Sequence, residues 1–376
     1  MIYLDSAATT LQKPERVAHA AARAMRTCAS PGRGGHKPAM AAAETAFACR
    51  QATADLFGVS DPERVVFTCN ATHALNIAIN TLVAPGDTVV ISSWEHNAVT
   101  RPLKALGADI RVAAGPLFDA NAALAAFERQ ITPEVKCVIC THCSNVFGMI
   151  LPIEAIARLC RQRGVPLIVD AAQSAGCLPI DLEGWGAAFV AMPGHKGLYG
   201  PQGTGLLLCG PNVSVRPLLY GGTGSASLVQ TMPDFLPDRL EAGTHNIPGI
   251  AGLLEGIRFV AKQGPETILA HERRLAALTR EGLSQLPGVE VFGDSLGSNQ
   301  AGVLSFRIHN MDCEEVGAWL GERDVAVRAG LHCAPLAHEA AETLNTGTVR
   351  VSFSAFNTAS EVERFLHLME RMVRRR

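Results

Sequence analysis

Short apolar runs alternate with segments of helical periodicity between about residue 15 and residue 250. The apolar runs have the length of buried β-strands and lie at residues 65–68, 88–92, 137–141, 166–169 and 188–191. The segments between them have helical character and lie at residues 71–83, 97–106, 120–130 and 153–163. Strands alternating with helices at this spacing predict a mainly parallel sheet with helices on both faces, an α/β architecture.

The pattern changes after about residue 248. One long helix is predicted over residues 249–282, and another near residues 313–323. Strand-like runs follow or intervene at residues 289–292, 301–307 and 348–352. We therefore predict a large domain at residues 15–250 and a small α+β domain made of residues 251–376 together with residues 1–14.

The composition is that of a globular enzyme. Of the 376 residues, 48% are hydrophobic and 18% are charged, and the formal net charge is −2. This charge gives no electrostatic reason to expect a nucleic acid or an anionic membrane as partner. No apolar run approaches the roughly 20 residues that span a bilayer. Residues 1–5 show neither the basic start nor the apolar stretch of a signal peptide, so a cytoplasmic location is expected.

The chain contains 11 cysteines, an odd number scattered singly, which favours reduced thiols over a disulfide framework. Cys137, Cys140 and Cys143 have a spacing found in metal sites. However, residues three apart on a strand point to opposite faces, and no fourth cysteine follows at ligand spacing. We therefore predict core packing for these three thiols and no metal site.

Polar residues follow the predicted strands, where ligands of parallel sheets collect. The strand ends are followed in chain order by Asn70 to His73, Glu95 to Asn97, Ser144 and Asn145, Asp170 and Gln173, and His195 and Lys196. The backbone at a helix start suits a phosphate, and a lysine with a carboxylate suits pyridoxal phosphate (PLP). Lys196 is the one lysine of six that lies among glycines after a buried-looking strand. No G-x-G-x-x-G motif supports a dinucleotide site instead.

Several segments resemble those of class V aminotransferase-fold enzymes, and more narrowly those of SufS-like (group II) cysteine desulfurases and selenocysteine lyases. They lie at residues 3–10, 71–73, 95–97, 144–148, 170–173, 194–201 and 328–335. The resemblance covers nearly the whole chain in the right order. It implies a PLP-dependent transferase of fold type I, with a mainly parallel seven-stranded sheet in a large domain and a small α+β C-terminal domain.

The resemblance also implies roles for individual residues. Lys196 would form the Schiff base, Asp170 would pair with the pyridine nitrogen, His96 would stack on the ring, and Gln173 would lie near the phenolic oxygen. The phosphate would be bound by Ala71, Thr72, His73 and His195, and by Gly222 and Thr223 of the neighbouring subunit of a homodimer. One departure is visible: relatives usually carry serine or threonine where this chain has Pro193, which can donate no hydrogen bond.

On the substrate side, the resemblance assigns Arg350 and Asn145 to the substrate carboxylate, and Asn145 also contacts the cofactor. Arg328 and His332 flank Cys333 as candidate electropositive neighbours, and His36 lies with Arg33 in a loop at the expected entrance. Cys333 lies in the segment that matches the sulfur-accepting loop of the family. A nucleophilic thiol there needs a lowered pKa and access.

Cys333 decides the expected reaction. The leading interpretation is a cysteine desulfurase that converts L-cysteine to L-alanine and leaves the sulfur on Cys333 as a persulfide, for transfer to an acceptor protein. A selenocysteine lyase acting on L-selenocysteine would use the same residues. A C–S lyase or class V aminotransferase would not need Cys333, and a sulfur carrier without turnover is a further alternative.

Overall fold

The computed structural model describes residues 1–31 and 34–374. Thirteen strands lie within the described residues: β1 Ile2–Tyr3, β2 Val65–Thr68, β3 Thr88–Ser92, β4 Asp109–Ala113, β5 Val135–Thr141, β6 Leu167–Asp170, β7 Phe189–Pro193, β8 Gly205–Cys209, β9 Val289–Phe292, β10 Val303–Ile308, β11 Val325–Ala326, β12 Arg328–Gly330 and β13 Thr348–Ser352. The same part of the chain contains twelve α-helices: α1 Glu15–Thr27, α2 Lys37–Phe57, α3 Ala71–Leu82, α4 Asn97–Leu106, α5 Ala120–Gln130, α6 Ile153–Arg163, α7 Leu182–Trp185, α8 Ile247–Gln263, α9 Pro265–Ser284, α10 Cys313–Gly321, α11 Pro335–Ala340 and α12 Ala359–Arg374.

The central sheet has seven strands in the order β2-β8-β7-β6-β5-β3-β4. Only β8 runs antiparallel to its neighbours β2 and β7, and the remaining pairs are parallel. The predicted α/β class and mainly parallel seven-stranded sheet are therefore confirmed. The apolar pattern located five of these strands and missed β4 and β8.

Helices cover both faces of this sheet. On one face, α3 and α4 contribute Leu75 and Leu103 to a buried cluster with Val89 of β3. On the other face, α5 and α6 contribute Phe127 and Ile156 to a second cluster. The continuous burial of β5, β6 and β7 explains why they read as apolar runs rather than as alternating strands.

The C-terminal region builds a four-stranded antiparallel sheet in the order β12-β13-β10-β9. Its core cluster includes Leu275 of α9, Val316 of α10 and Phe365 of α12. β1 pairs in parallel with β11, so the N-terminal segment lies against this region. The predicted boundary at residue 250 falls inside α8, where Leu253 and Ile257 pack in the core of the large sheet. The division into 15–250 and 1–14 with 251–376 stays a prediction.

The long helix predicted over residues 249–282 is wrong in one respect. The segment forms two helices, α8 and α9, which are separated at Gly264. Gly264 has a φ of +83°, and Pro265 follows it at the first position of α9. A left-handed glycine ends a helix, and a proline is tolerated at the first turn of the next. In the part of the chain that the structure describes, no helix combines the length and the apolar character needed to cross a membrane.

Candidate active site

A cavity of about 110 Å³ lies beyond the carboxyl ends of the parallel strands, where α3 and α4 begin. It is lined by eight of the residues that the sequence nominated: Ala71, Thr72, His96, Asn145, Asp170, Gln173, His195 and Lys196. Pro193, the residue that departs from the family pattern, also lines it. The structure therefore brings together residues that are up to 125 positions apart, because they lie at the ends of five strands of the same sheet.

Lys196 lies in the turn after β7 and lines this cavity. Burial lowers the pKa of its amine to about 8, and the nearby carboxylate of Asp170 partly opposes that change. Arg350 and Arg328 lower the pKa further through their positive charges. A lysine amine that is partly neutral near neutral pH is a good nucleophile for a carbonyl group.

Asp170 ends β6 and is 2% exposed. One carboxylate oxygen, Oδ1, accepts a 2.9 Å hydrogen bond from the backbone N–H of Ala172. The other oxygen, Oδ2, accepts no hydrogen bond from the residues that the structure describes. Burial raises the pKa of Asp170, and the hydrogen bond from Ala172 and the charge of Lys196 oppose this. A protonated pyridine nitrogen would supply the missing counter-charge, so this carboxylate fits PLP.

The start of α3 fits the phosphate of that cofactor. Asn70 caps the helix by accepting a 2.9 Å hydrogen bond from the backbone N–H of His73. The N–H groups of Ala71 and Thr72 in the same first turn have no partner within the helix, and both residues line the cavity. The side chain of His73 lies elsewhere: its Nδ1 faces the N–H of Cys69, and the residue lines a neighbouring cavity of about 160 Å³.

His96 is the N-cap of α4, and its Nδ1 accepts a 3.0 Å hydrogen bond from the N–H of Ala98. Burial and, to a smaller extent, the positive charges of Lys196 and Arg328 lower the pKa of His96 to about 4. The ring is therefore neutral near pH 7, and the hydrogen bond from Ala98 assigns its proton to Nε2. His195 is likewise neutral, since burial lowers its pKa to about 4, and its Nδ1 lies 3.1 Å from Thr9 Oγ1.

Arg350 lies in β13 and is 2% exposed, so it is an interior residue rather than an exposed edge residue. Its Nη2 donates a 2.7 Å hydrogen bond to Asp5 Oδ1, and its Nη1 donates a 2.9 Å hydrogen bond to the carbonyl of Asn145. The remaining nitrogen, Nε, is buried without a partner among the described residues. A buried guanidinium with a free donor fits an incoming carboxylate.

Cys333 is exposed and follows β12 in a loop of unusual backbone conformation. His332 and Cys333 have φ values of +48° and +56°, a left-handed conformation that costs such residues about 1–3 kcal/mol each. Two hydrogen bonds fix the loop on the site: Asn97 N–H donates to the Cys333 carbonyl at 2.8 Å, and Asn145 Nδ2 donates to the His332 carbonyl at 2.8 Å. The thiol is therefore held near the residues that line the cavity.

The expectation that His332 is an electropositive neighbour of Cys333 is wrong. His332 is 4% exposed, and its Nε2 lies 3.2 Å from the carbonyl of Thr348. Burial and, to a smaller extent, the positive charge of Arg350 lower the pKa of His332 to about 2, so the ring is neutral. Arg328, which is exposed in β12, remains as the cation of the two that were predicted.

Eight predicted site residues are not part of the cavity lining: His73, Arg328, His332, Cys333 and Arg350, described above, and Gly222, Thr223 and His36. Gly222 and Thr223 lie in the segment between β8 and α8 and line a separate surface cavity of about 390 Å³. His36 is exposed and serves as the N-cap of α2, where its Nδ1 accepts from the N–H of Ala39 at 3.4 Å. Arg33 lies outside the described residues.

Asp5 is a site residue that sequence reasoning missed. Asp5 belongs to a segment that resembles the family, but the sequence alone predicts no role for it because its partner Arg350 lies 345 positions away. The chain contributes other N-terminal groups here: Thr10 Oγ1 donates to the carbonyl of His195 at 3.0 Å, and Lys13 Nζ donates to Thr10 Oγ1 at 2.9 Å. Gln173 Nε2 holds the same segment by donating to the Ala7 carbonyl at 3.0 Å.

The three closely spaced cysteines face different parts of the core. Cys137 packs with α3 and α4 on one face of the sheet, whereas Cys140 packs with α5 and α6 on the other. Cys143 belongs to a third cluster with Cys177 and Tyr199. Burial raises the pKa of all three thiols, which favours the uncharged form that packs as an apolar group.

Comparison with known proteins identifies the family. The aminotransferase class-V family model matches residues 2–365. The chain is 34% identical over 377 residues to a probable cysteine desulfurase of Methanothermobacter thermautotrophicus, covering 96% of this chain and 92% of that protein. It is also 34% identical to a probable cysteine desulfurase of Mycolicibacterium paratuberculosis, covering 99% of this chain but 55% of that longer relative.

A solved structure supports the same family. The apo structure of a cysteine desulfurase from Thermococcus onnurineus NA1 matches with a TM-score of 0.91 and 33% identity, over 99% of this chain and 94% of that one. The predicted class V aminotransferase family, the fold and the cofactor are confirmed by these findings, whereas the narrower SufS-like (group II) subtype stays a prediction. The chain belongs to the aminotransferase class-V family and is a PLP-dependent enzyme.

Proposed function

We propose that this enzyme is a cysteine desulfurase that converts L-cysteine to L-alanine and takes the sulfur onto Cys333. The observation that carries the proposal is the docking of an exposed cysteine beside the PLP cavity. The Cys333 carbonyl accepts from the first N–H of α4, and the preceding carbonyl accepts from Asn145, which lines the cavity. The relatives named as cysteine desulfurases support the same conclusion.

In this reaction, separate residues bind the cofactor, bind the substrate and move the proton. When bound, PLP withdraws electrons from the bonds to the substrate Cα. Asp170 holds a positive charge at the pyridine nitrogen, and the N–H groups of Ala71 and Thr72 bind the phosphate. Arg350 binds the substrate carboxylate through its free Nε, assisted by Asn145. Lys196 carries the cofactor and afterwards takes and returns the proton at Cα.

Cys333 completes the reaction as the nucleophile. Its thiolate attacks the substrate sulfur, so that the Cβ–S bond of cysteine breaks and an S–S bond forms on the enzyme. The electron pair of the broken bond and one proton remain with the carbon skeleton, which leaves as alanine. Neutral His96, with its proton on Nε2, can donate to a developing negative charge beside the ring.

The decisive experiment incubates the enzyme with L-cysteine and measures alanine, sulfide and pyruvate. We expect alanine, and we expect Cys333→Ala to abolish its formation while the PLP absorbance is kept. Cys28→Ala is the matched control, because Cys28 is partly exposed and lies at the end of α1 away from the cavity. Pyruvate with ammonia would indicate a C–S lyase instead, and PLP binding without turnover would indicate a sulfur carrier.

The assignment of Lys196 has its own test. Borohydride reduction followed by peptide mapping should place the cofactor on Lys196, and Lys196→Ala should retain no reducible adduct. Lys104→Ala is the control, since Lys104 is exposed on α4. A selenocysteine lyase is distinguished by comparing kcat/KM for L-cysteine and L-selenocysteine with the same preparation, because both substrates use the same residues.

We also propose that the enzyme works as a homodimer in which Gly222 and Thr223 bind the phosphate in the partner's site. The segment that carries them exposes large apolar side chains, among them Tyr220 (72%) and Leu228 (100%). Exposed apolar clusters of this kind favour association. Mixing Lys196→Ala subunits with Gly222→Trp subunits should restore activity, because a mixed dimer contains one intact site; two inactive parents that stay inactive on mixing would contradict the shared site.

The sulfur on exposed Cys333 is proposed to pass to a thiol of an acceptor protein. The free state of all 11 cysteines agrees with a reducing compartment such as the cytoplasm.

A further inference from the structure

A second, smaller cavity lies behind Lys196. It has a volume of about 40 Å³ and shares Ala172, Gln173 and Lys196 with the larger cavity, so Lys196 stands between the two. The hydroxyl-bearing residues Thr10 and Ser354 line it as well. A cavity of this size with hydroxyl, carboxyl and amine groups in its lining can hold ordered water, because one water needs roughly 10–15 Å³ of such volume.

Glu272 of α9 faces this cavity and is 8% exposed. Its carboxyl group makes no hydrogen bond or ion pair with any residue that the structure describes. The side chain is packed closely against the backbone, since a Cβ atom added at Gly302 would lie 2.6 Å from the Glu272 Cβ. A buried carboxyl without a partner costs stability, so packing alone would favour an apolar residue here.

The groups around Glu272 leave its charge uncompensated. The thiols of Cys143 and Cys177 and the phenol of Tyr199 interact with it electrostatically, and none of them is a cation. Arg273, the next residue of α9, donates instead to the carbonyls of Gln300 and Ser298. Lys196 lies across the cavity. Burial raises the pKa of Glu272 to about 8, so the group is a neutral acid near pH 7 that can still release a proton.

We propose that Glu272 stores the proton that Lys196 exchanges during turnover, and that one or two water molecules in the small cavity connect the two groups. Once Lys196 has passed the Cα proton on to the carbon skeleton, the Glu272 carboxyl gives its proton along the water to the neutral Lys196 Nζ. The same proton goes back to Glu272 when that nitrogen must lose it to rejoin the cofactor, so no other reactant is needed. Glu272 acts through Lys196 and is therefore a positioning residue for that proton. The inference rests on the role of Lys196 proposed above.

The protonated state of Glu272 can be measured without turnover. Infrared spectra of the apo and PLP-loaded proteins, recorded from about pH 6 to about pH 10, should contain a carboxylic acid C=O band that disappears around pH 8. The band should be missing from Glu272→Gln. Burial also raises the pKa of Glu95 to about 8. Glu95 is present in both the wild type and Glu272→Gln, so its band cancels in the difference between their spectra. A difference spectrum without a titrating acid band would overturn the proposal.

The link to Lys196 is tested by pH profiles. In the wild type we expect the absorbance of bound PLP to change with an inflection near pH 8 that is lost in Glu272→Gln, since Lys196 is joined to the cofactor there and is no free amine. The pH profile of kcat keeps an inflection from the free Lys196 amine, whose own pKa is about 8. The same variant should lower kcat about tenfold near pH 7 with little change in KM, since acid–base groups contribute to the chemical step. Glu266→Gln is the control, because Glu266 is exposed on the same helix.

A further variant excludes a structural role. Glu272→Leu should fold at least as stably as the wild type, because it removes an unpaired buried carboxyl, and yet turn over as slowly as Glu272→Gln. If both variants keep the wild-type rate and pH profile, Glu272 is not a proton store. If the wild type forms no alanine at all, the proposed desulfurase activity fails, whereas the infrared and absorbance titrations still decide the role of Glu272.

Discussion

The backbone N–H of Asn97 donates a 2.8 Å hydrogen bond to the carbonyl of Cys333. This bond joins the first residue of α4 to the loop that carries the proposed nucleophile, and the residue before Asn97 is His96, which lines the PLP cavity. The loop backbone is in the left-handed region at both His332 and Cys333, so it holds its shape only while such contacts persist. The contact therefore sets the position of the thiol relative to the cofactor.

Asn97→Pro removes this hydrogen bond and little else. Proline is well tolerated at the first position of a helix, and the extended backbone of His96, with φ of −76° and ψ of 156°, suits a following proline. We expect kcat for alanine formation to fall about five- to tenfold, which corresponds to about 1 kcal/mol for one hydrogen bond. PLP binding should be unchanged.

Asn97→Ala is the matched control, because it keeps the N–H and loses only the side chain. Hydrogen exchange and the rate of Cys333 alkylation should show a looser loop in the proline variant alone. Equal kcat values for the two variants would show that the contact does not position the thiol.

Asp5 is expected to hold Arg350 ready for the substrate carboxylate. Its removal leaves a buried guanidinium with a single hydrogen bond, to Asn145. We predict that Asp5→Ala raises KM for L-cysteine about tenfold and lowers stability by about 3 kcal/mol, as expected when one partner of a buried pair is lost. Asp5→Asn should raise KM by a smaller factor, since its amide oxygen can still accept a hydrogen bond. Asp55→Ala is the control, because Asp55 is exposed on α2. Equal KM values in Asp5→Ala, Asp5→Asn and Asp55→Ala would contradict the prediction.

Five strands of the large sheet were predictable because they are buried and read as apolar runs, whereas β8 was missed although all five of its residues are buried. β4 escaped detection because four of its five residues are at least partly exposed, and its polar Asp109 and Arg111 interrupt the run. The single long helix predicted across Gly264 was wrong because the periodicity continues on both sides of one left-handed glycine, and glycine alone does not reveal its φ.

The site was predictable where chemistry follows a strand end, as at Asp170 and Lys196. It was not predictable where a role depends on a contact between distant segments. Asp5 and Arg350 come into contact only because β1 pairs with the C-terminal region. Glu272 is buried without a hydrogen-bond partner only because α9 packs against Gly302. His332 was misjudged because its charge depends on burial, which the sequence motif does not show.

Two backbone segments approach each other closely at Gly197, the residue after Lys196. A Cβ atom at Gly176 would lie 2.1 Å from the carbonyl oxygen of Gly197, and Gly176 itself has a φ of +99°. We predict that Gly176→Ala destabilises the protein by about 3 kcal/mol or more and weakens PLP binding, because the turn of Lys196 must move away.

Gly164→Ala separates the cost of the left-handed conformation from the cost of the contact with Gly197. Gly164 ends α6 with a φ of +66°, and nothing lies within 4 Å of an added Cβ, so only the left-handed conformation is penalised, by about 1–2 kcal/mol. Chemical denaturation and PLP titration of both variants check the difference. Similar losses in both would show that the contact with Gly197 is unimportant.

Acid should destabilise the protein through buried neutral histidines, and His142, which does not line the cavity, offers a test. Its Nδ1 is buried without a partner among the described residues, its ring packs against Trp185 at 5.3 Å, and burial lowers its pKa to about 4. Because the unfolded pKa is about 6.5, the unfolded chain binds the proton first as the pH falls. The stability contributed by neutral His142 is therefore complete above about pH 6.5 and is lost as the pH falls towards 4.

His142→Phe should keep the ring contact and remove this proton uptake. Between about pH 7.5 and about pH 5, we expect the free energy of unfolding of the wild type to fall by about 2 kcal/mol more than that of the variant. Other neutral histidines such as His338 act in the same direction, so the variant keeps part of the slope. Urea denaturation at the two pH values measures it. Parallel losses in wild type and variant would mean that His142 takes up its proton in the folded state as readily as in the unfolded chain, contrary to its burial against Trp185.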